Sequence, residues 1–293
     1  MIHESHRLRL IAHSVFWIGG STLGTAIALA RYPPTHFDMG LLGLTFVLSG
    51  IGISVGFHRY LAHRSFEATP PLQYLLLFLG NTAAQGPPVY WAILHRNHHR
   101  HSDLHGDPHS PVYSFERRPV RGFLHAHFGW IGAVGMPRPE RTYADLFRDR
   151  AVRIMNTIYG LTALCGVLAP GLIAWLYYDR SADGFARGAL WGGAVRLFLV
   201  HHVVWSINSV CHVWGRQRYV TGDASRNNWL LALPSFGEAW HNNHHVAAGS
   251  ARFGHYWWEI DLGYLAIRLF LRLGLAKRAH VVPLAAVRSK LIG

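Results

Sequence analysis

"GLLGLTFVLSGIGISVGFHRYLAH", residues 40–63, runs 18 positions without a charge and then presents His58, Arg59 and His63 within six. An uncharged apolar helix of that length crosses a bilayer, which needs about 20 residues. Polar side chains at its exit place chemistry at the membrane surface. Three more runs have the same character: 10–30, 153–178 and 188–210. The expected fold class is therefore an all-α integral membrane protein. It has four transmembrane helices (10–30, 40–57, 153–178 and 188–210) in one domain spanning 1–293, with a helical cap built from 58–152 and 211–293.

Two shorter stretches supplement the spans. Residues 72–84 are apolar and proline-flanked, which suggests an interfacial or re-entrant helix. Residues 256–275 open on "YWW" and set Arg268 and Arg272 among leucines, the pattern of a helix lying in the interface. Composition agrees. Half of the chain is hydrophobic and 15% is charged, where soluble domains carry about a quarter. Cys165 and Cys211 both fall in apolar runs, so no disulfide framework is expected.

A formal charge of +13 would suggest nucleic acid in a soluble protein. Here the positions of the arginines decide otherwise. Twelve lie in 58–153 and eight after Val210, whereas the two hairpin connections hold only Arg31, Arg180 and Arg187. Positive charge gathers on the cytoplasmic side. Both termini and the cap are thus expected in the cytoplasm, beneath a bacterial-type inner membrane, with lipid rather than nucleic acid as the partner of the arginines. "AIALA" before Arg31 resembles a signal cleavage site, but a second span follows at once, and an uncleaved first helix is expected.

The 22 histidines are the compositional outlier. "HRNHH" (95–99) and "EAWHNNHH" (238–245) share the spacing H-x-x-H-H, which on an α-helix keeps three imidazoles within one arc. Each box is expected to aim His95, His98 and His99, or His241, His244 and His245, toward one point. His58 and His63 are separated by about 140° on a regular α-helix. They cannot share one atom unless the helix unwinds or widens, so one histidine per ion is expected. With His212 the candidate ligands number nine, and one ion rarely takes more than about six. Two ions are implied, chosen from the imidazole-binding metals iron, copper, nickel and zinc. A closed structural zinc site needs only four ligands.

All of these histidines follow the exits of spans on one face. His201, Trp205, Asn208 and His212 share a helix face at i, i+4, i+7 and i+11. Asn208 is placed to hold a metal-bound water, Trp205 to wall the approach, and His201 to bond a neighbouring helix. Asp103, Asp107, His109 and Glu238 are the candidates for orienting the ligands from behind.

The order "HRYLAH", "HRNHH", "NSVCH" and "EAWHNNHH", with "GDPHSP" and "RGFLHAHFGW", resembles the membrane fatty-acyl desaturases of the stearoyl-CoA (Δ9) type. The resemblance covers nearly the whole chain. It implies an oxidoreductase in which the nine histidines hold two ferrous ions, with Asn208 joining through water. It also implies that Trp205 borders an acyl tunnel whose floor lies on the second span, at Phe46 and Gly50. The implied reaction takes O2 and two external electrons and puts a cis double bond, at Δ9, into a saturated acyl chain. Members that use CoA carry an arginine–aspartate pair just before the second box, where this chain has Ile93 and Leu94. The carrier therefore remains open among CoA, acyl carrier protein and lipid. No haem or dinucleotide motif occurs, so a separate ferredoxin, cytochrome b5-like protein or reductase is expected to supply electrons. Two rivals share the histidine pattern: a di-iron membrane hydroxylase and a membrane protein that handles metal without redox chemistry.

Overall fold

The computed structural model describes residues 12–113, 115, 117–133 and 141–292. Among the described residues the named elements are helices, apart from a two-stranded antiparallel ribbon that pairs β1 (Glu67–Ala68) with β2 (Ala276–Lys277). Among the described residues three helices are long and apolar enough to cross a membrane: His36–Ala62, Tyr159–Tyr177 and Ala182–His212. The first expected span begins outside the described residues. Its remainder is helical over 12–31, ending in α1 (Gly20–Arg31), but does not reach the apolarity of the other three.

Local chemistry sets the ends. Helix α2 (His36–Ala62) starts from a capping box in which Thr35 accepts from the Asp38 amide and Asp38 accepts from the Thr35 amide. Prolines open α3 (Pro70–Thr82) and α4 (Pro88–His101), where a missing N–H costs nothing. Two short helices follow, α5 (Pro119–Leu124) and α6 (Ala144–Arg148). The span expected over 153–178 is in fact two helices, α7 (Arg150–Thr157) and α8 (Tyr159–Tyr177). At the break, Asn81 Nδ2 donates to the Met155 carbonyl, so the backbone ladder is interrupted by a side chain. Helix α9 (Ala182–His212) is capped by Ser181 and extends the expected fourth span at both ends. After it come α10 (His241–Val246) and α11 (Leu262–Arg272).

Helices α2 and α9 hold 27 and 31 residues, or roughly 40 and 46 Å at 1.5 Å per residue. A hydrocarbon core is about 30 Å thick. Each is therefore longer than such a layer is thick, and His58 and His212 lie toward the C-terminal ends of these helices. The segment 72–84 is the helix α3, packed against α2, α7 and α8 with Leu72, Leu76 and Leu77 buried. Trp257 and Trp258 stand exposed ahead of α11, whose Leu265 and Leu269 are also exposed, as is Leu273 just after it.

One buried cation needs an account. Arg196 on α9 is 1% exposed and has no acidic partner among the described residues. Pro170 interrupts α8 and cannot donate to the Gly166 carbonyl four residues back. Arg196 Nη2 supplies that bond at 2.5 Å, and its Nη1 reaches the Thr82 carbonyl, at the end of α3, at 2.5 Å. The guanidinium replaces donors that the backbone lacks.

Candidate metal centre

The second half of α2 is not an α-helix. Residues Gly52–Ala62 are wound as a π-helix, and the His63 amide donates to the His58 carbonyl at 3.0 Å. A bond from i+5 to i widens the turn, which brings His58 and His63 onto one side. The expectation of one histidine per ion is thereby corrected: both fall into the same group. Their ring nitrogens lie with those of His95, His99 and His244 within 4.8 Å of one another. A second group, within the same limit, is His98, His212, His241 and His245.

The expectation that each H-x-x-H-H box aims at one point is corrected as well. His95 and His99 go to the five-membered group and His98 to the four-membered one. In the last box, His241 and His245 go to the four-membered group and His244 to the five-membered one. Helix geometry explains the division. Residues i and i+4 are offset by about 40°, whereas i+3 and i+4 are about 100° apart. Each short helix therefore offers a pair to one group and a single ring to the other.

Carboxylates hold four of the rings from behind. His212 Nδ1 meets Asp103 at 2.8 Å, His98 Nδ1 meets Asp107 at 3.1 Å, and His245 Nδ1 meets Asp223 at 2.6 Å. His58 Nδ1 is paired with Glu238. A ring whose Nδ1–H faces a carboxylate presents a lone pair at Nε2. Within the two groups the Nε2 atoms converge: His63 and His95 have Nε2 atoms 2.8 Å apart, His99 and His244 2.9 Å, and His212 and His241 2.9 Å. The Nε2 atoms of His98 and His245 are buried with no hydrogen-bond partner among the described residues. Such an arrangement of buried nitrogen donors suits cations that accept imidazole, and it fits iron.

The electrostatics agree. Burial, reinforced by neighbouring imidazoles, pushes His63, His95, His99, His241 and His244 well below the ordinary range, so they are neutral and able to ligate. For His245 burial outweighs Asp223 and leaves it at about 4. Burial would raise the Asp103 carboxyl, but its bond to His212 holds it at about 2. In the same way His98 and His245 keep Asp107 and Asp223 below the usual carboxylate range against the effect of burial.

The other expected residues lie around these groups. Asn208 lines, with His95, both of two adjoining cavities. The larger, about 390 Å3, is walled by Trp205, Tyr90 and Trp130 and also touches His109. The smaller, about 60 Å3, reaches Phe46, Gly50 and Phe236 and passes His98, His241 and Glu238. Trp91 and Val204 also face both cavities. A Cβ on Gly50 would sit 2.0 Å from the Phe236 ring, so this wall is closed by the ring itself. His109 donates its amide to Asp107 at 3.0 Å, and its ring lies 4.4 Å from that of His98. His201 Nε2 lies 2.9 Å from the Ala83 carbonyl.

Sequence reasoning missed several residues. Asp223 follows no box and is brought to His245 only by the loop after α9. Trp91 stacks on His95 with ring centroids 5.1 Å apart. Arg59, fully buried, donates to Ser54 and Asp261 at 2.9 Å each and supports Glu238 behind His58. Only Arg59 carried a signal, a charge next to a ligand in an otherwise apolar helix.

The fatty acid desaturase family model matches residues 39–275. A hex-5-enoyl-[acyl-carrier protein] acetylenase of Moorena producens is 42% identical over 87% of this chain and 81% of its own. A delta-9 acyl-lipid desaturase 2 of Arabidopsis thaliana is 38% identical over 91% of this chain and 83% of its own. An icosanoyl-CoA 5-desaturase of Limnanthes douglasii is 36% identical over 92% and 73%. The chain belongs to the fatty acid desaturase family and is an oxidoreductase of lipid metabolism.

Proposed function

We propose that this family member is an O2-dependent desaturase that puts a cis double bond, at Δ9, into a saturated acyl chain, using two ferrous ions held by the nine histidines. The observation that carries the reading is the junction of two cavities at Trp91, His95, Val204 and Asn208, beside both histidine groups. An acyl chain threaded through both cavities would bend past the imidazoles there and present one pair of carbons.

Iron, when bound, would activate O2, the oxidant that an unactivated methylene needs and that no acid or base side chain can replace. The balance is two chain hydrogens, O2, two electrons and two protons giving one double bond and two waters. This chain's residues do the rest. His58, His63, His95, His99 and His244 hold one ion. His98, His212, His241 and His245 hold the other, with Asn208 completing it through water. Asp103, Asp107, Asp223 and Glu238 fix the ring tautomers, and His109 steadies Asp107. Trp205 and Trp91 keep water from the reacting carbons, while Phe46, Gly50 and Phe236 stop the methyl end.

The chain crosses the bacterial inner membrane four times, counting the helix over 12–31, with the cap and both termini cytoplasmic. Its carrier is an acyl lipid or acyl carrier protein. Ile93 and Leu94 offer no charge to CoA phosphates, and two of the three relatives act, by name, on those carriers. Electrons arrive from a separate ferredoxin, cytochrome b5-like protein or reductase. Gas chromatography of lipids from cells expressing the protein tests the reading. New monoenes with a Δ9 bond support it; hydroxylated acyl chains would transfer the chain to the hydroxylases.

A further inference from the structure

The π-wound end of α2 has to be held open, because regular α winding would swing His63 away from His58. Its last carbonyls lack helical partners, as at any C-terminus. Those of Leu61 and Ala62 are taken by Arg96, through Nη2 at 3.0 Å and Nε at 2.9 Å. Arg96 is the residue after His95, so the second histidine box caps the first. The next residue after His63, Arg64, takes a left-handed backbone (φ 52°), which ends the helix at once.

One carboxylate joins the two arginines. Asp145 on α6 accepts from Arg96 Nη1 and Nη2 at 2.8 and 2.7 Å. It also accepts from Arg64 Nε and Nη2 at 3.3 and 3.2 Å. The same segment reaches box 2 a second time, through the Tyr143 hydroxyl on Asn97, with Tyr143 1% exposed. It reaches box 1 a second time through Asp149, 3.7 Å from Arg64. Residues 143–149 thus run as a strap across both boxes, with Asp145 at the crossing.

We propose that Asp145 is a positioning residue for the five-histidine ion: by tying Arg64 to Arg96 it sets the approach of His63 to His95. The proposal rests on the reading that this group holds an ion, and it adds a residue that touches neither ion nor ligand. Its effect reaches the ion only through the neighbours of His63 and His95. Among the described residues, helix α4 is what joins the strap to the four-histidine group, through Asn97 beside His98.

The test is the rate at which a chromogenic ferrous chelator strips iron from the full chain, loaded anaerobically in detergent, as wild type, Asp145→Asn and Asp145→Glu. Wild type is expected to hold two ions; one ion or none would overturn the metal reading itself. With two ions present, Asp145→Asn is expected to release one of them roughly tenfold faster, the scale of outer-partner losses at metal sites, with the other unchanged. Asp145→Glu is expected to recover most of the loss. Equal acceleration of both ions would reflect general loosening, and unchanged rates would show an idle surface pair; either result overturns the proposal.

Discussion

Asp223 offers the sharpest test of the metal reading, since no motif singles it out. Its carboxylate is 6% exposed and accepts from His245 Nδ1 at 2.6 Å, from Thr221 Oγ1 at 2.7 Å and from the Ser225 amide at 3.0 Å. A hydrogen bond to a charged group nets about 1.5–3 kcal/mol, and a neutral one about 0.5–1.5. Asp223→Asn keeps the shape and loses the charge, a difference of about 1–1.5 kcal/mol, or roughly tenfold in affinity. Asp223→Ala strands the buried Nδ1–H of His245 and frees the ring to turn, at about 2–3 kcal/mol, or roughly 30–150-fold. The assay is titration with ferrous or cobaltous ion against a competing chelator. One ion should weaken in that order while the other keeps its affinity. If both variants bind two ions within twofold of wild type, the carboxylate does not orient His245 for a ligand, and the four-histidine assignment is wrong.

Three further outcomes follow from the same geometry. Gly50→Ala places a Cβ 2.0 Å from the Phe236 ring, which must move into the smaller cavity. The products should shift toward shorter chains, by about fourfold for each methylene excluded at 0.8 kcal/mol, and an unchanged chain-length profile contradicts the tunnel floor. The metal-free protein should lose stability on acidification. His63, His95, His99, His241 and His244 have folded values depressed by burial, so below about 6.5 the unfolded chain takes up protons that the folded chain refuses. Stability is then fully present above that pH and falls by up to about 1.4 kcal/mol per unit for each ring; a flat melting temperature between pH 7.5 and 5 would count against it. Arg196→Met leaves the Thr82 and Gly166 carbonyls without donors. That costs about 1–3 kcal/mol each, read as a lower melting temperature in detergent, and an unchanged or higher value refutes the carbonyl-replacement account.

What the sequence made legible was periodicity and composition. Apolar runs located the helices that pack as α2, α8 and α9, because a bilayer imposes a length that no loop satisfies. The boxes drew attention to nine imidazoles, because few uses of histidine need that many. Other features are invisible to one-dimensional spacing. Asp223 meets His245 through a loop closure of 22 residues, and Arg196 answers a proline on another helix. The break at Ile158 depends on Asn81, which lies 74 residues from Met155. Each is a long-range side-chain decision, and no local pattern announces it.

The spacings themselves carry more than they first yield. H-x-x-H-H is α-helical and H-x-x-x-x-H is π-helical, so the two signatures measure two kinds of winding. On a short α-helix the third and fourth positions diverge, and each of boxes 2 and 3 must therefore serve both groups. A first box of the same α spacing would also have split. Its π winding instead delivers His58 and His63 together, so the group of His95, His99 and His244 becomes the larger one, five rings against four. Asn208 lies on the wall of the smaller cavity with His58 and His95 of the five-membered group and His98 and His241 of the four-membered one. Nine rings cannot divide equally, and which group is the larger is a consequence of how that one helix is wound.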